Sequence, residues 1–370
     1  MRTAFIVLLA ASAACASDPD DPAPATASAP SLAPSDTLRP VELYSTGDYE
    51  FGYVSASEPL DNGGLAVADH FLNQVVLFGP DGLVTGTLGT EGDGPGEFKA
   101  LASVAQLASG EIATLSHNTS RITVFGEEVE TYRTTLRGHS QYLNGRIGAG
   151  PVVYAEERGD TAQQLVRANT SGSAPVDAYL PLPAYGDHLP LYQWVVDGEM
   201  ARKGHPYAGS KSSSINRYGD YALMVDDTAV VVGNLLGRSP TRVLVVRSWP
   251  EIEQKNEVID SFFSQTGRPP EYADLPPIYV SSVYIDDSGR VWLGRTAYRE
   301  SESQFADYTA IVVNPATMDS QAVVLPKGTH FFLEHFRVRG DRATAVIDDE
   351  YGDMEVRVLD LSGLAVVGPR

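Results

Sequence analysis

The sequence predicts an all-β fold, and three observations support this prediction. Short apolar runs rich in β-branched and aromatic residues recur, as at Leu65–Asp69 and Gln74–Phe78, and such runs are typical of strands. Turn sequences such as Pro80-Asp81-Gly82 separate the runs, because Pro fixes φ and Gly accepts φ > 0. Two second-strand glycines, Gly64 and Gly110, lie 110 − 64 = 46 residues apart. A meander at this interval cannot bury both faces alone, and radial repetition therefore predicts a β-propeller.

The first 14 residues are predicted to be a signal peptide. Arg2 precedes the apolar segment Ala4–Ala11, which is too short to span a membrane as a mature helix. The tetrapeptide ending at Cys15 resembles a bacterial lipobox, from which Ser12 departs because that position usually carries an aliphatic residue. Cys15 is the only cysteine, so no internal disulfide is possible and lipidation is favoured. Ordinary cleavage near Ala14 stays open as the alternative.

Residues 15–40 are predicted to be the lipidated cysteine and a disordered linker. The segment is rich in Pro, Ala, Ser and Asp, which bury too little apolar surface to offset the entropy of ordering. By resemblance to bacterial lipoproteins, the lack of Asp after Cys15 implies delivery to the outer membrane, facing the periplasm or the exterior. The propeller domain is predicted to occupy residues 41–370, with Val41–Tyr44 lent to the final blade as a closing strand.

We expect six blades of four antiparallel strands, although five or seven blades stay open. The predicted strands are Phe51–Ser57, Leu65–Asp69, Gln74–Phe78 and Val84–Leu88; Leu101–Leu107, Glu111–Leu115, Arg121–Phe125 and Val129–Leu136; Gln141–Ile147, Val152–Glu156, Gln164–Ala168 and Val176–Leu180; Tyr221–Val225, Ala229–Gly233 and Arg242–Val246; Tyr279–Ile285, Val291–Gly294, Thr309–Val313 and Gln321–Leu325; and Phe331–Val338, Ala343–Asp348 and Glu355–Leu359.

Two segments depart from the blade pattern. Ala184–Arg217 is expected to be a decorated entry to blade four, with a strand-like stretch at Tyr192–Val196 and a loop at Lys203–Ser214. Pro250–Gln265 is expected to form a short amphipathic helix after blade four, because Pro250 suits a first helical position and Ile, Val and Phe fall on one side.

The stretch Gly64–Phe98 resembles an NHL-type repeat. The similarity lies in Leu-x-Val-Ala-Asp, an apolar strand, Asp-Gly, another strand and the decapeptide Gly89–Phe98, whereas Gln74 stands where that repeat often carries Arg. More widely, the chain resembles six-bladed β-propeller lipoproteins of bacteria, strongly over Gly64–Phe98 and fairly over Pro277–Leu361. A generic antiparallel sandwich is the alternative, since short spaced strands would also fit it.

The formal charge of −21 argues against two classes of partner. Binding of nucleic acid needs clustered Lys and Arg to neutralise phosphates, and docking on anionic lipid heads needs the same. An acidic surface keeps an exported protein soluble, and we expect a monomer held at the membrane by its lipid anchor alone.

Candidate site residues follow the second strands of blades one and two. His70 and His117 lie 117 − 70 = 47 residues apart, nearly one repeat, so both should lie on one rim of the propeller. The candidate binding rim is His70, Asn73, Asp93, His117 and Asn118. The weak candidate metal ligands are His70, His117, Asp348, Asp349 and Asp353.

Metal binding is the less favoured interpretation of these residues. Neither histidine lies in a short metal-binding pattern, and the spacing of Glu91, Asp93 and Glu97 lacks the ligands of a calcium loop. We expect the decapeptide to form a tight turn with Phe98 packed below. No cofactor is predicted, with Ca²⁺ or Zn²⁺ as the alternatives.

The first functional hypothesis is a membrane-tethered, extracytoplasmic binding or scaffold module for a protein, peptide or glycan. The sequence contains no nucleophile elbow, phosphate loop or dinucleotide fingerprint. The alternative is a metal-dependent lyase or hydrolase with a site on the funnel face, as in six-bladed enzymes that the chain lightly resembles. A third hypothesis is a periplasmic accessory subunit whose acidic face docks a basic partner.

Overall fold

The structure is a computed structural model, and the residues that it describes lie within Leu32–Arg370. The described residues are 36–47, 49–94, 96–107, 109–116, 121–126, 132–135, 142–147, 152–158, 163–169, 176–181, 192–196, 199–203, 213–226, 229–237, 241–246, 249, 279–280, 282–298, 305–326, 329–330, 335–348 and 353–369. The signal peptide, Cys15, most of the linker and the predicted helix Pro250–Gln265 lie outside these ranges.

Thirty strands make up the regular structure of the described residues. The first ten are β1 (Thr37–Leu38), β2 (Val41–Ser45), β3 (Val54–Pro59), β4 (Leu65–Asp69), β5 (Gln74–Phe78), β6 (Val84–Leu88), β7 (Thr90–Glu91), β8 (Glu97–Phe98), β9 (Leu101–Gln106) and β10 (Ile112–Ser116). The next ten are β11 (Arg121–Phe125), β12 (Tyr132–Thr135), β13 (Tyr142–Ile147), β14 (Val152–Arg158), β15 (Gln163–Asn169), β16 (Val176–Pro181), β17 (Tyr192–Val196), β18 (Glu199–Lys203), β19 (Ser213–Ile215) and β20 (Asp220–Asp226). The last ten are β21 (Ala229–Asn234), β22 (Arg242–Val245), β23 (Ser282–Ile285), β24 (Val291–Tyr298), β25 (Phe305–Val313), β26 (Ser320–Leu325), β27 (Thr329–His330), β28 (Phe336–Arg339), β29 (Arg342–Asp348) and β30 (Met354–Asp360). Within the described ranges, no helix has the length and apolar character needed to cross a membrane.

The chain folds as a β-propeller with antiparallel blades. Five sheets are meanders of four consecutive strands, namely β3–β6, β9–β12, β13–β16, β19–β22 and β23–β26. Apolar side chains pack between neighbouring sheets, and the cluster around Ala66, Phe98 and Val104 joins the first two blades. Burial on both faces explains why β4 reads as a continuous apolar run rather than an alternating one.

The predicted count of six blades is corrected to five meanders of consecutive strands. The last strands of the chain do not complete a meander of their own, because β27 and β28 both pair with β29. This composite sheet continues through β30 and takes its outer strand, β2, from the N-terminal side. The predicted closing strand at Val41–Tyr44 is therefore confirmed as β2.

Three further differences from the predicted elements have physical reasons. The short strand β19 lies at the end of the segment predicted as a loop, where its buried residues pair with β20. β1 lies within the predicted linker, because the outer edge of β26 offers free backbone groups and pairs with it in parallel. Of the predicted strand Phe331–Val338, residues 336–338 lie in β28, and residues 331–334 lie outside the described ranges. The strand-like stretch Tyr192–Val196 is confirmed as β17 in a hairpin with β18.

The turns between the first and second strands repeat one geometry in four blades. In blade one, Leu60 N donates to Gly64 O at 2.9 Å and Gly63 N donates to Leu60 O at 3.0 Å. The same two hydrogen bonds recur in the turns that end at Glu111, Asp220 and Arg290. Each turn places a glycine at positive φ, and the residue equivalent to Gly110 is Gly63 rather than Gly64. The interval of 110 − 63 = 47 equals the spacing of His70 and His117.

Segments from both ends of the described chain lock blade five to the composite sheet. After β30, the C-terminal segment runs back over blade five, where Ala365 N donates to Gln321 Oε1 at 2.7 Å and Asn314 Nδ2 donates to Val367 O at 2.7 Å. Val366 and Leu361 are buried in the core between these sheets, and Leu38 of β1 packs against the same core. The two terminal segments therefore contact one cluster of side chains.

Tyr44 of β2 provides a pH-dependent test of this closure. Its hydroxyl donates to Gly63 O at 2.9 Å, and burial raises the pKa of Tyr44 from 10.0 to about 12, with Arg342 opposing and Asp81 adding to the rise. The folded state favours the neutral phenol, so this contribution to stability is complete below pH 10 and is lost as the pH rises toward 12.

We therefore expect the melting temperature of the wild-type protein to fall more steeply between these pH values than that of Tyr44→Phe. Thermal melting followed by circular dichroism across this range measures the difference. Parallel curves for the two proteins would contradict the prediction.

Candidate functional site

The antiparallel order of the blades gives the propeller two distinct ends. Turns between the second and third strands of each blade share one end with the segments that join successive blades, and we call this end the upper face. Turns between the first and second strands, and between the third and fourth, form the lower face. In blade one the upper-face turn is residues 70–73 and the lower-face turns are residues 60–64 and 79–83.

Two predicted rim residues, His70 and Asn73, lie in the upper-face turn of blade one. His70 Nδ1 is 2.9 Å from Leu101 O, and because a carbonyl oxygen only accepts, Nδ1 carries the proton and donates. Asn73 adopts a φ of 48°, and its Oδ1 accepts from Leu101 N at 3.3 Å. Both side chains therefore hold the start of β9, the first strand of the next blade.

Asp69, the last residue of β4, fixes the conformation of this turn. Its fully buried carboxylate accepts hydrogen bonds from four main-chain N–H groups, namely Gly52 at 2.7 Å, Tyr53 at 3.2 Å, Phe71 at 3.0 Å and Leu72 at 3.0 Å. A carboxylate that satisfies several amides in this way makes a loop rigid. The Asp of the Leu-x-Val-Ala-Asp motif thus joins the turn to the segment before β3.

The rigid turn presents large apolar side chains to solvent. Phe71 is 68% exposed, Leu72 is 47% exposed and Tyr53 is 37% exposed. The ring centroids of Tyr53 and Phe71 are 5.6 Å apart, so these side chains form one continuous surface. We call Tyr53, Phe71 and Leu72 the apolar platform.

Two histidines border the apolar platform. His70 lies 5.8 Å from Phe71 and 6.1 Å from Tyr53 by ring centroids. The ring of His335, just before β28, lies 6.1 Å from that of Tyr53. The platform residues and His335 were not among the predicted site residues. A signal was present in the sequence, since two bulky apolar residues at a turn after Asp-His depart from the polar composition usual in turns.

The upper face of blade one and the composite sheet carries more acidic than basic residues in its loops. Among the described residues of these loops and their flanks, the acidic ones include Glu50, Glu91, Asp93, Glu97, Asp348 and Asp353, and Lys99 is a lysine. Lys99 forms an ion pair with Asp93, one of the predicted rim residues. Exposed apolar side chains on an acidic face suit contact with an apolar group that has a positive charge beside it.

The decapeptide that follows β6 forms a tight turn around two side chains, as predicted. Glu97 Oε2 accepts from Gly94 N at 2.5 Å, and a Cβ at Gly92 or Gly94 would overlap the Glu97 side chain. Phe98 is fully buried, and its ring lies 5.7 Å from that of Phe125 in blade two. The glycines of the motif therefore leave room for Glu97 and Phe98.

Gly89 gives a direct test of this packing. Its φ is +78°, and an added Cβ would lie 2.1 Å from a carbon of the Phe98 ring. We expect Gly89→Ala to lower the free energy of unfolding by about 3 kcal/mol, from a left-handed backbone and forced repacking. Gly86→Ala in β6 is the matched control, since nothing lies within 4 Å of its added Cβ. Urea denaturation measures both variants, and equal stabilities would contradict the prediction.

The candidate metal ligands and rim residues are only partly described. The candidate ligands His117 and Asp349 and the rim residue Asn118 lie outside the described residues. Asp348 ends β29 and Asp353 immediately precedes β30, so both flank the upper-face turn of the composite sheet. In the ranges that the structure covers, no three His, Cys, Asp or Glu side chains are grouped to hold a metal ion.

The lower face carries ion pairs between the blades close to their first strands. Arg217 Nε lies 3.0 Å from Asp287 Oδ2, which joins blades four and five. Arg339 lies 3.0 Å from Glu58 and 2.9 Å from Asp61, which joins the composite sheet to blade one. Burial lowers the pKa of Arg217, but Asp287 and Glu58 more than offset this effect, so the net pKa is raised.

The two arginines also meet at a third blade. One terminal nitrogen of each lies within hydrogen-bond reach of Gln106 O, at 3.4 Å for Arg217 and 3.5 Å for Arg339. Carboxylates and a carbonyl of the protein thus surround both guanidinium groups. We interpret this cluster as a structural one, which stabilises the contacts between blades.

No protein-family model matches the chain, and neither does any curated protein. Solved structures with a similar chain course include a virginiamycin B lyase from Staphylococcus aureus, 8% identical over 85% of this chain and 98% of its own, with a TM-score of 0.42. A gluconolactonase from Xanthomonas campestris is 10% identical over 88% of this chain and 96% of its own, with a TM-score of 0.37. A Bacteroides fragilis protein provisionally named as exported is 12% identical over 86% of this chain and 93% of its own, with a TM-score of 0.47.

These identities and TM-scores are low. The fold assignment therefore rests on the hydrogen-bonded sheets described above, and no residue role is transferred from these proteins. The NHL-type resemblance stays a prediction.

Proposed function

We propose that this protein is an extracytoplasmic β-propeller that binds a protein, peptide or glycan through its upper face and does not itself catalyse a reaction. One observation carries the proposal. The buried carboxylate of Asp69 holds Phe71 and Leu72 in a fixed turn, in which most of Phe71 and about half of Leu72 are exposed. Large exposed apolar patches on soluble proteins commonly mark interaction sites.

The rigidity of the turn supports a binding role. A loop that is already ordered loses little conformational entropy on association, so its apolar contacts contribute more fully to affinity. Gly52 lies directly against Phe71 and Leu72, where an added Cβ would be 2.9 Å from the Phe71 Cβ. The main chain at Gly52 therefore packs directly behind the Phe71 and Leu72 side chains.

We also propose that Cys15 carries the lipid and that residues 16–35 act as a tether in the cell envelope. The support is the lipobox-like sequence and the Pro-rich composition that follows it. In this proposal the tether holds the propeller at the membrane and leaves the apolar platform available to a partner.

Binding to arrays tests the proposed function. The purified full chain, labelled with a fluorophore, is applied to one array of glycans and one of peptides. Phe71→Ser/Leu72→Ser removes the platform, and Leu83→Ser/Val84→Ser is the matched control, since both of its targets are exposed apolar residues at the lower-face turn, 66% and 48% exposed.

We expect binding to one array by the wild type and the control variant, with loss in the platform variant. Two results would overturn the proposal. One is no binding to either array, and the other is equal binding by all three proteins.

A further inference from the structure

We infer that the partner of the apolar platform is a polypeptide segment that carries Lys or Arg next to a large apolar side chain. This inference rests on the proposed function and names the class of partner for the same surface. Two properties of the upper face carry it, namely the exposed apolar side chains and the sign of the charge around them.

The apolar component comes from Tyr53, Phe71 and Leu72. The rings of Tyr53 and Phe71 are inclined at 40° and lie in contact, at 5.6 Å between centroids, and Leu72 extends the surface with an aliphatic side chain. A surface of mixed aromatic and aliphatic character suits a Leu, Met or aromatic side chain of a peptide, since such anchors dominate binding energy at interfaces.

The electrostatic component comes from carboxylates on the segments that lead into the platform. Glu50 is exposed and lies three residues before Tyr53 in the chain. Asp353 is also exposed and precedes Met354, whose Sδ accepts from Val54 N at 3.4 Å, next to Tyr53. Glu50 is therefore close to Tyr53 along the chain, and Asp353 is close to it across the hydrogen bond between Met354 and Val54.

The upper-face segment that joins blades one and two has the same sign of charge. It carries Glu91, Asp93 and Glu97 against one lysine, Lys99, which is paired with Asp93. The formal charge of the whole chain, −21, attracts cationic segments from a distance and repels anionic ones. A neutral glycan would gain nothing from this field, so the peptide class is favoured.

Fluorescence anisotropy with defined peptides tests the inference. The probe is a labelled peptide of twelve residues that alternates Lys with Leu and Trp, and the comparison peptide has Glu at every Lys position. The proteins are the purified full chain, Phe71→Ser/Leu72→Ser, and Glu50→Gln/Asp353→Asn. The matched control, Asp81→Asn/Asp319→Asn, removes the same charge from exposed positions on lower-face turns.

We expect the wild type to bind the Lys peptide and to bind the Glu peptide at least about tenfold more weakly. Glu50→Gln/Asp353→Asn should weaken binding of the Lys peptide by about two- to fivefold per carboxylate, and raised salt should weaken it further. The lower-face control should bind like the wild type, and the platform variant should not bind.

The outcomes separate this inference from the proposed function. Equal binding of the Lys and Glu peptides, with loss only in the platform variant, would overturn the cationic partner and leave the platform as a binding surface. Platform-dependent binding to the glycan array alone would have the same meaning. Binding of the Lys peptide that does not depend on Phe71 and Leu72 would overturn both.

Discussion

Replacing Asp69 with alanine is expected to lower the free energy of unfolding by about 4 kcal/mol. The buried carboxylate accepts from four main-chain N–H groups, on Gly52, Tyr53, Phe71 and Leu72. Alanine leaves these donors without their acceptor. Each buried N–H group without an acceptor lowers the free energy of unfolding by about 1–3 kcal/mol, and by less where water reaches the turn. Urea denaturation measures the loss.

Asp81→Ala is the matched control for this prediction. Asp81 is exposed and accepts a main-chain hydrogen bond from Leu83 N at 3.1 Å, so its replacement should cost no more than about 1 kcal/mol. Asp69→Ala should also abolish array binding under conditions where the variant is still folded, because the platform loses its support. Similar stabilities for the two variants would show that the carboxylate does not hold the turn.

The second large effect is expected at the lower face, where Arg339→Ala should destabilise the fold by about 3 kcal/mol. Its side chain is 13% exposed and pairs with Glu58, whose side chain is 6% exposed. Removing the guanidinium leaves a largely buried carboxylate with less compensation for its lost hydration. The loss also removes the ion pairs that Arg339 forms between the composite sheet and blade one.

Lys99→Ala and a double variant complete this test. Lys99 pairs with Asp93 at an exposed position, with 49% and 66% of the two side chains accessible, so its loss should cost less than about 1 kcal/mol. Arg339→Met/Glu58→Met removes both buried charges and should recover at least half of the stability lost in Arg339→Ala. A double variant no more stable than the single one would contradict a charge-burial origin.

Three of the four strands of blade one could be predicted to the residue, whereas β3 (Val54–Pro59) begins and ends later than the predicted Phe51–Ser57. β4, β5 and β6 match the predicted bounds, because apolar runs and the Pro-Asp-Gly turn mark both ends of each strand. β19 could not be predicted in this way, since Ser213-Ser214-Ile215 has a weak strand propensity and is ordered by pairing with β20. Likewise, the parallel pairing of β1 with β26 depends on a contact almost 300 residues away along the chain.

The sequence predicted where His70 lies in the strand order but not what its side chain contacts. Its position after the second strand of blade one predicts an upper-face turn, because the order of strands determines the face of each turn, and His70 lies in that turn. The sequence could not show that His70 and Asn73 both bond to Leu101. Nor could it show that Phe71 stays exposed, since exposure depends on how the neighbouring segments pack.

The contact between the two terminal segments has a mechanical consequence. Leu38 of β1 lies over Gly363, so that a Cβ at Gly363 would be 2.9 Å from its side chain. A pulling force applied at the N-terminal side of β1 reaches this two-residue strand first and then the longer β2, which is bonded to β30. Ala365 and Val367 keep their hydrogen bonds to Gln321 and Asn314 when Leu38 leaves. We therefore expect the N-terminal segment to detach in order, β1 before β2, while the C-terminal segment stays in place.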